Sequence, residues 1–201
     1  DISSENRIMV SMGDSYSSGE GVEPFYYQGE SEQKRSTNPD FLAHRSENSW
    51  PGQLKLNGVS NAMKNNRNNN WYFVAASGAE TKDFQGRQIK DYSRNDIGIC
   101  VDLEPQLKVF AQFEKNEVDF VTMTIGGNDV GFGKIIANAV TSSKNHKFTN
   151  PCSLADQLNN AWEKYYKGTK KDPVCTKDKI QQAYKDVRSS TGDETSIIVA
   201  G

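Results

Sequence analysis

Three short apolar runs in this chain each stop at a turn of small residues. Ile8-Met9-Val10 leads through Ser11-Met12 into Gly13-Asp14-Ser15. Trp71-Tyr72-Phe73-Val74-Ala75 ends at Ala76-Ser77-Gly78-Ala79, and Val118 to Ile125 (VDFVTMTI) ends at Gly126-Gly127-Asn128-Asp129. Short runs rich in β-branched and aromatic residues read as strands. The third is apolar almost throughout, as in a sheet covered on both faces. A fourth, Ser196 to Gly201, closes the chain. Segments with helical spacing separate them, and strands alternating with helices imply a doubly wound α/β sheet with right-handed crossovers. In a parallel sheet the three small-residue turns lie along one edge, where open α/β sheets place their ligands.

The intervening segments follow from local signals. Gly21 to Asp40, with Phe25, Tyr26 and Tyr27 near its start, reads as a long loop over the strand ends, and such loops tend to carry function. Ser49 caps a short helix with Pro51 in its first turn, running through Leu54 and Leu56 to a stop at Asn57-Gly58. Ser60 to Asn70 reads as a surface connection. A polar helix is expected near Glu80 to Tyr92, and another over Leu103 to Lys115, where Leu103, Leu107, Phe110 and Phe113 recur at helical spacing. Val130 to Val140, Ser153 to Tyr166 and Lys177 to Arg188 complete the helices. Leu154, Leu158, Trp162 and Tyr165, then Ile180, Tyr184 and Val187, are expected to face inward. One domain over residues 1–201 accommodates all of this.

Ser15 stands where a strand turns into a polar, glycine-bearing segment, close to backbone N–H groups that favour negative charge. That suits an attacking serine, whose reaction places an oxyanion beside it. Gly-Asp-Ser is equally ordinary turn and helix-cap chemistry. What separates the two readings is convergence: the N–H groups of Ser15 and Gly78 and the side-chain amide of Asn128 can meet at one edge, as acyl transfer requires. A phosphate loop is disfavoured, because Gly131-Phe132-Gly133 is followed three residues on by Ile136 and no Gly-Lys-Ser/Thr occurs. With 24 basic and 26 acidic residues the net charge is −2, and no basic excess invites nucleic acid. No apolar run approaches the ~20 residues of a membrane span. The start at Asp1 reads as a secreted, mature chain whose signal peptide has been removed. Cys100, Cys152 and Cys175 lack the spacing of a zinc site. Cys152 and Cys175 either pair as a disulfide or remain thiols, and spacing alone does not choose.

GDSYSSGEG, the Ser77-Gly78-Ala79 turn and TIGGNDVGF, in that order and at strand ends, resemble the first three blocks of the SGNH (GDSL-type) serine esterases and lipases. HRSENSWP, here His44 to Pro51, resembles a stretch found in secreted single-domain bacterial members. The resemblance covers nearly the whole chain. It implies a flavodoxin-like three-layer α/β/α fold with a central parallel sheet. It also implies Ser15 as nucleophile, an oxyanion hole from Ser15 N–H, Gly78 N–H and Asn128, and no metal or organic cofactor. Many relatives carry a cysteine at the position of Ala43, paired with one near Ser77; that bridge is absent here.

The resemblance also implies a late Asp-x-x-His block that supplies the general base, and this chain contains none. A serine hydroxyl is a poor nucleophile without a base within hydrogen-bond reach. Of the two histidines, His44 reads as structural and His146, among lysines, as a solvated surface residue. The expectation is a carboxylic ester hydrolase acting through an acyl-enzyme on Ser15, its fold incomplete at the C-terminus. A downstream segment or a second chain would supply the histidine. The substrate is a small-molecule, polysaccharide or lipid ester. The alternative is an inactive module of the same fold that binds a carbohydrate or lipid.

Overall fold

The computed structural model describes residues 7–57, 59, 61–94, 97–133, 135 and 151–200, with side chains for these apart from 92–99 and 151–153. The described strands are β1 (Met9–Gly13), β2 (Trp71–Phe73), β3 (Gln88–Arg94), β4 (Ile97–Leu103), β5 (Phe120–Thr124) and β6 (Ser196–Val199). The described α-helices are α1 (Ser15–Ser18), α2 (Glu32–Thr37), α3 (Pro39–Leu42), α4 (Trp50–Gln53), α5 (Pro151–Lys167) and α6 (Thr176–Thr191). Strands β2, β1, β5 and β6 lie side by side in that order, all parallel, with Met9 opposite Trp71 and Phe120 and Gly13 opposite Thr124. The four expected strands form one sheet, and the three small-residue turns share its carboxyl edge.

Alternation along β1 distributes its side chains to two cores. Val10 and Met12 join Val121, Met123 and Phe84 on one face, which α6 covers with Ala183 and Val187. Met9 packs on the other with Met63, Trp71 and Phe73. Ser11 is buried at the strand centre, and its hydroxyl is satisfied by Trp71 Nε1 at 2.8 Å and Thr122 Oγ1 at 2.7 Å. A buried hydroxyl with two partners costs the sheet little, whereas an unpartnered one would be expensive.

Several segments depart from the sequence reading. In place of a helix from Glu80 to Tyr92 there is one 3₁₀ turn, Thr81–Phe84, followed by β3 and β4 as an antiparallel pair. Ile97, Ile99, Val101 and Leu103 recur at a spacing of two, the period of a strand, and the helical assignment of Leu103 missed it. The next helix therefore starts after Pro105 and is a 3₁₀ segment, Gln106–Gln112. Proline disfavours helical geometry in the residue before it. The helix at Ser49 ends at Gln53, because Leu54 and Leu56 continue in non-helical chain onto the Met9–Trp71 core. The loop from Gly21 to Asp40 contains α2 and the start of α3.

Helix α5 forms as expected, but Leu158 and Trp162 do not point inward: they are 48% and 65% exposed. Helix α6 is amphipathic as read, with Val187 buried and Ile180 and Tyr184 half-buried. Phe132, Gly133 and Ile135 are helical, whereas residues 136–140 of the helix expected over Val130 to Val140, and His146, lie outside the described residues. Cys100 is an exposed thiol and Cys175 a buried one. The Cys152 side chain, the other half of the disulfide considered, lies outside the described residues.

Candidate active site

Gly13 is the pivot that delivers Ser15. Its φ of +116° is one that residues with a side chain rarely adopt, and a Cβ there would sit 2.0 Å from the Thr124 carbonyl oxygen. The chain then turns at Asp14, whose N–H donates to that same carbonyl at 2.9 Å. Asp14 caps α1 by accepting from Tyr16 N–H at 3.1 Å, so Ser15 opens the helix. Ser15 is half-buried, and Gly19, left-handed at φ +106°, ends the helix one turn later.

A buried polar network holds the pivot. Thr124 Oγ1 donates to Asp14 Oδ1 at 2.6 Å, and Ser17 Oγ lies 2.8 Å from Thr124 Oγ1. Burial raises the Asp14 carboxyl above its ordinary range, against the Thr124 and Tyr16 hydrogen bonds that pull the other way. On the β2 side, where that strand has already ended, the Gln106 amide takes over the ladder. Gln106 Oε1 accepts from Gly13 N–H at 2.6 Å, and Gln106 Nε2 donates to the Gly13 carbonyl at 2.9 Å. Gln106 is a residue that sequence reasoning missed. It sits just after Pro105 with no periodic or motif signal, and only the fold brings it to Gly13.

Two residues after β5 tie the second and third strand ends together. Asn128 Nδ2 donates to the Ala79 carbonyl at 2.9 Å. Asp129 accepts from Thr81 N–H at 3.0 Å and Thr81 Oγ1 at 2.6 Å, anchoring the 3₁₀ turn that follows Gly78. Ser15 and Asn128 line one cavity of about 400 Å³, together with Asp14, Thr124, Gly127 and Phe132. Gly78 is left-handed at φ +75° but is not among the residues lining that cavity. Gln88 Nε2 and Lys90 Nζ both donate to the neighbouring Ser77 carbonyl and stand over Gly78. Of the three predicted residues, then, the structure brings Ser15 and Asn128 to one cavity, and Gly78 does not line it.

The HRSENSWP stretch braces the turn that carries Ser15. Ser46 N–H donates to the Ser18 carbonyl at 2.9 Å, and Ser46 Oγ donates to the carbonyls of Val22 and Pro24. Arg45 reaches the Val74 and Ala75 carbonyls beyond β2 and pairs with Asp40 at 2.7 Å. Arg67 also pairs with Asp40, at 2.6 Å. Ala43 packs with Ala76 and Ala79, and Ser77 N–H donates to its carbonyl at 2.9 Å. Backbone bonding thus joins the segments of Ala43 and Ser77.

His44 does not reach the cavity. Its Nδ1 lies 2.7 Å from Glu20 Oε2, and its ring stacks on Phe25 at 4.6 Å. The hydrogen bond to His44 holds the Glu20 carboxyl below its ordinary range. Among the described residues, no histidine lines the Ser15 cavity. No group of three or more His, Cys, Asp or Glu side chains among them is placed to hold a metal ion.

The GDSL-like Lipase/Acylhydrolase family model matches residues 9–194. Among solved structures, this chain is similar to a phospholipase A1 from Streptomyces albidoflavus, at 20% identity and a TM-score of 0.59 over 98% of this chain and 59% of that one. It is also similar to an extracellular lipase from Streptomyces rimosus, at 19% identity and a TM-score of 0.57 over 97% of this chain and 59% of that one. These likenesses corroborate the fold; the chain spans about three-fifths of the length of each structure. No match was found among curated proteins. None of the described helices is long and apolar enough to cross a membrane.

Proposed function

This chain belongs to the GDSL-like Lipase/Acylhydrolase family, and from that premise we propose that it is the nucleophile-bearing part of a secreted serine esterase that cleaves carboxylic esters through an acyl-enzyme on Ser15. The observation that carries the reading is the shared cavity of Ser15 and Asn128 at the carboxyl edge of the sheet. Ser15 Oγ attacks the ester carbonyl carbon while its proton passes to a histidine. The carbonyl oxygen becomes an anion and takes hydrogen bonds from Ser15 N–H and Asn128, the two predicted donors that share the cavity. Asn128 Nδ2 carries two hydrogens. One is committed to the Ala79 carbonyl, which fixes the amide in place and leaves the other for the oxyanion. Collapse expels the alcohol, which takes the proton from the histidine. A water molecule, deprotonated by the same base, then releases the acid and restores Ser15.

The base is a histidine outside these 201 residues, in the part of the fold that the Streptomyces structures have and this chain does not span. Two observations support this: His44 is engaged by Glu20, and no histidine among the described residues lines the cavity. The lipase and phospholipase likenesses favour a lipid or other carboxylic ester as substrate. The test is hydrolysis of p-nitrophenyl acetate by this chain and by the complete gene product, each with its Ser15→Ala variant. Turnover by the complete product that Ser15→Ala abolishes is expected. Turnover by this chain alone would reassign the base to a residue within it, with His44 the first to mutate. No turnover by either would favour an inactive module of the same fold that binds a carbohydrate or lipid.

A further inference from the structure

Helix α5 carries an apolar stripe that is exposed among the described residues. Leu158, Trp162 and Tyr166 follow one another at four-residue intervals, which puts them on one face of the helix. They are 48%, 65% and 48% exposed. The rings of Trp162 and Tyr166 lie 4.6 Å apart, and Tyr165 stands edge-on to Tyr166 at 4.8 Å. Trp50 is half-buried and Trp71 fully buried, so an exposed indole at Trp162 is out of keeping with the other two tryptophans. Contiguous exposed apolar residues rimmed by polar ones mark interaction sites.

The charge around the stripe indicates what it meets. Residues 151–171 carry four lysines, Lys164, Lys167, Lys170 and Lys171, against Asp156 and Glu163. That local balance of +2 opposes the net −2 of the whole chain. Tryptophan and tyrosine above an amphipathic helix with lysines at its end match the boundary between headgroups and acyl chains, and lysines are drawn to anionic headgroups. The helix is also tied to the candidate site. Lys164, two residues and some 200° around the helix from Trp162, donates to the Asp129 carbonyl at 3.3 Å. Asp129 follows Asn128, and Phe132, also in the Ser15 cavity, is 49% exposed. The opposite side of α5 thus grips the site loop while the stripe is turned outward.

We propose that the Leu158–Trp162–Tyr166 face of α5, with Lys170 and Lys171 beyond its end, docks the protein on an anionic lipid surface. It rests on the ester-hydrolase reading for its purpose, which is to hold the Ser15 cavity at a surface that contains its substrate. It does not depend on that reading for its test, because binding is measured in a Ser15→Ala background where no lipid is consumed.

The experiment is co-sedimentation of the complete gene product with sucrose-loaded vesicles of phosphatidylcholine alone or with phosphatidylglycerol, read alongside tryptophan emission. Vesicles containing phosphatidylglycerol are expected to carry down the protein and to shift the Trp162 emission to the blue. Leu158→Ser with Trp162→Ala is expected to weaken binding about tenfold or more. Lys170→Glu with Lys171→Glu is expected to abolish the preference for phosphatidylglycerol. All four positions are exposed, and circular dichroism checks that the variants fold. Failure to bind either vesicle, or undiminished binding by the Leu158→Ser/Trp162→Ala variant, overturns the proposal. So does a concentration-dependent dimer that buries Trp162 without lipid, which would make a second copy the occupant.

Discussion

Replacing Gln106 by Met tests how the turn before Ser15 is held. The Gln106 amide lies 4% exposed and pairs with both backbone groups of Gly13. The two losses are unequal. The Gly13 carbonyl still accepts from Ala76 N–H at 3.0 Å, whereas Gln106 Oε1 is the acceptor recorded for the Gly13 N–H. Methionine nearly preserves the volume, so little room opens for a water to substitute. One buried N–H left without a partner costs about 1–3 kcal/mol. Taking about 2 kcal/mol, and a urea dependence of about 2 kcal/mol per molar for a chain of this size, the unfolding midpoint should fall by roughly 1 M. Urea unfolding followed by tryptophan fluorescence reads this directly. Gln112→Met is the control, since Gln112 is exposed and bonds only its own helical segment. If Gln106→Met unfolds at the same urea concentration as that control, the Gly13 N–H does not depend on Gln106 and the reasoning fails.

Three further outcomes follow from the site and its braces. Asp14→Asn keeps an acceptor for Tyr16 and Thr124 but removes a carboxyl whose folded pKa is raised by burial. A raised folded value means that wild-type stability is lost as pH climbs from the ordinary carboxyl range through the folded value. The variant should therefore be relatively more stable at pH 7, with the gap closing below about pH 4, as urea midpoints across that range would show. Arg45→Ala leaves the half-buried Asp40 with Arg67 alone and strips the Val74 and Ala75 carbonyls of a partner, and should cost about 3 kcal/mol in the same assay. Asn128→Ala should lower kcat for ester hydrolysis by the complete gene product by about 10²–10³ with little change in KM; an unchanged kcat would remove Asn128 from the oxyanion hole.

The sheet was legible because each strand pairs an apolar run with a small-residue stop, and both signals are local. That Ser15 and Asn128 meet at one edge of the sheet was legible for the same reason: each follows its strand by a few residues, so fixing the strand fixes its position. What escaped was tertiary. Gln106 meets Gly13 across 93 residues of chain, and nothing near Pro105 announces it. The β3–β4 pair was mistaken for a helix because Glu80 to Tyr92 is polar and its partner strand lies farther along the chain. Gly78 was expected beside Ser15 from its place after β2, yet Gln88 and Lys90 of that unforeseen pair stand over it instead. On α5 the spacing of Leu158 and Trp162 identified the helix correctly and its buried side wrongly, because periodicity defines a face without saying what covers it.

The central claim is that Ser15 carries the acyl group. The most direct measurement is mass spectrometry of the complete gene product, quenched in acid within its first turnovers of a p-nitrophenyl ester. The account predicts a gain of one acyl group on the peptide that contains Ser15, absent in Ser15→Ala. Acylation of any other residue, or ester turnover that survives Ser15→Ala, would contradict it.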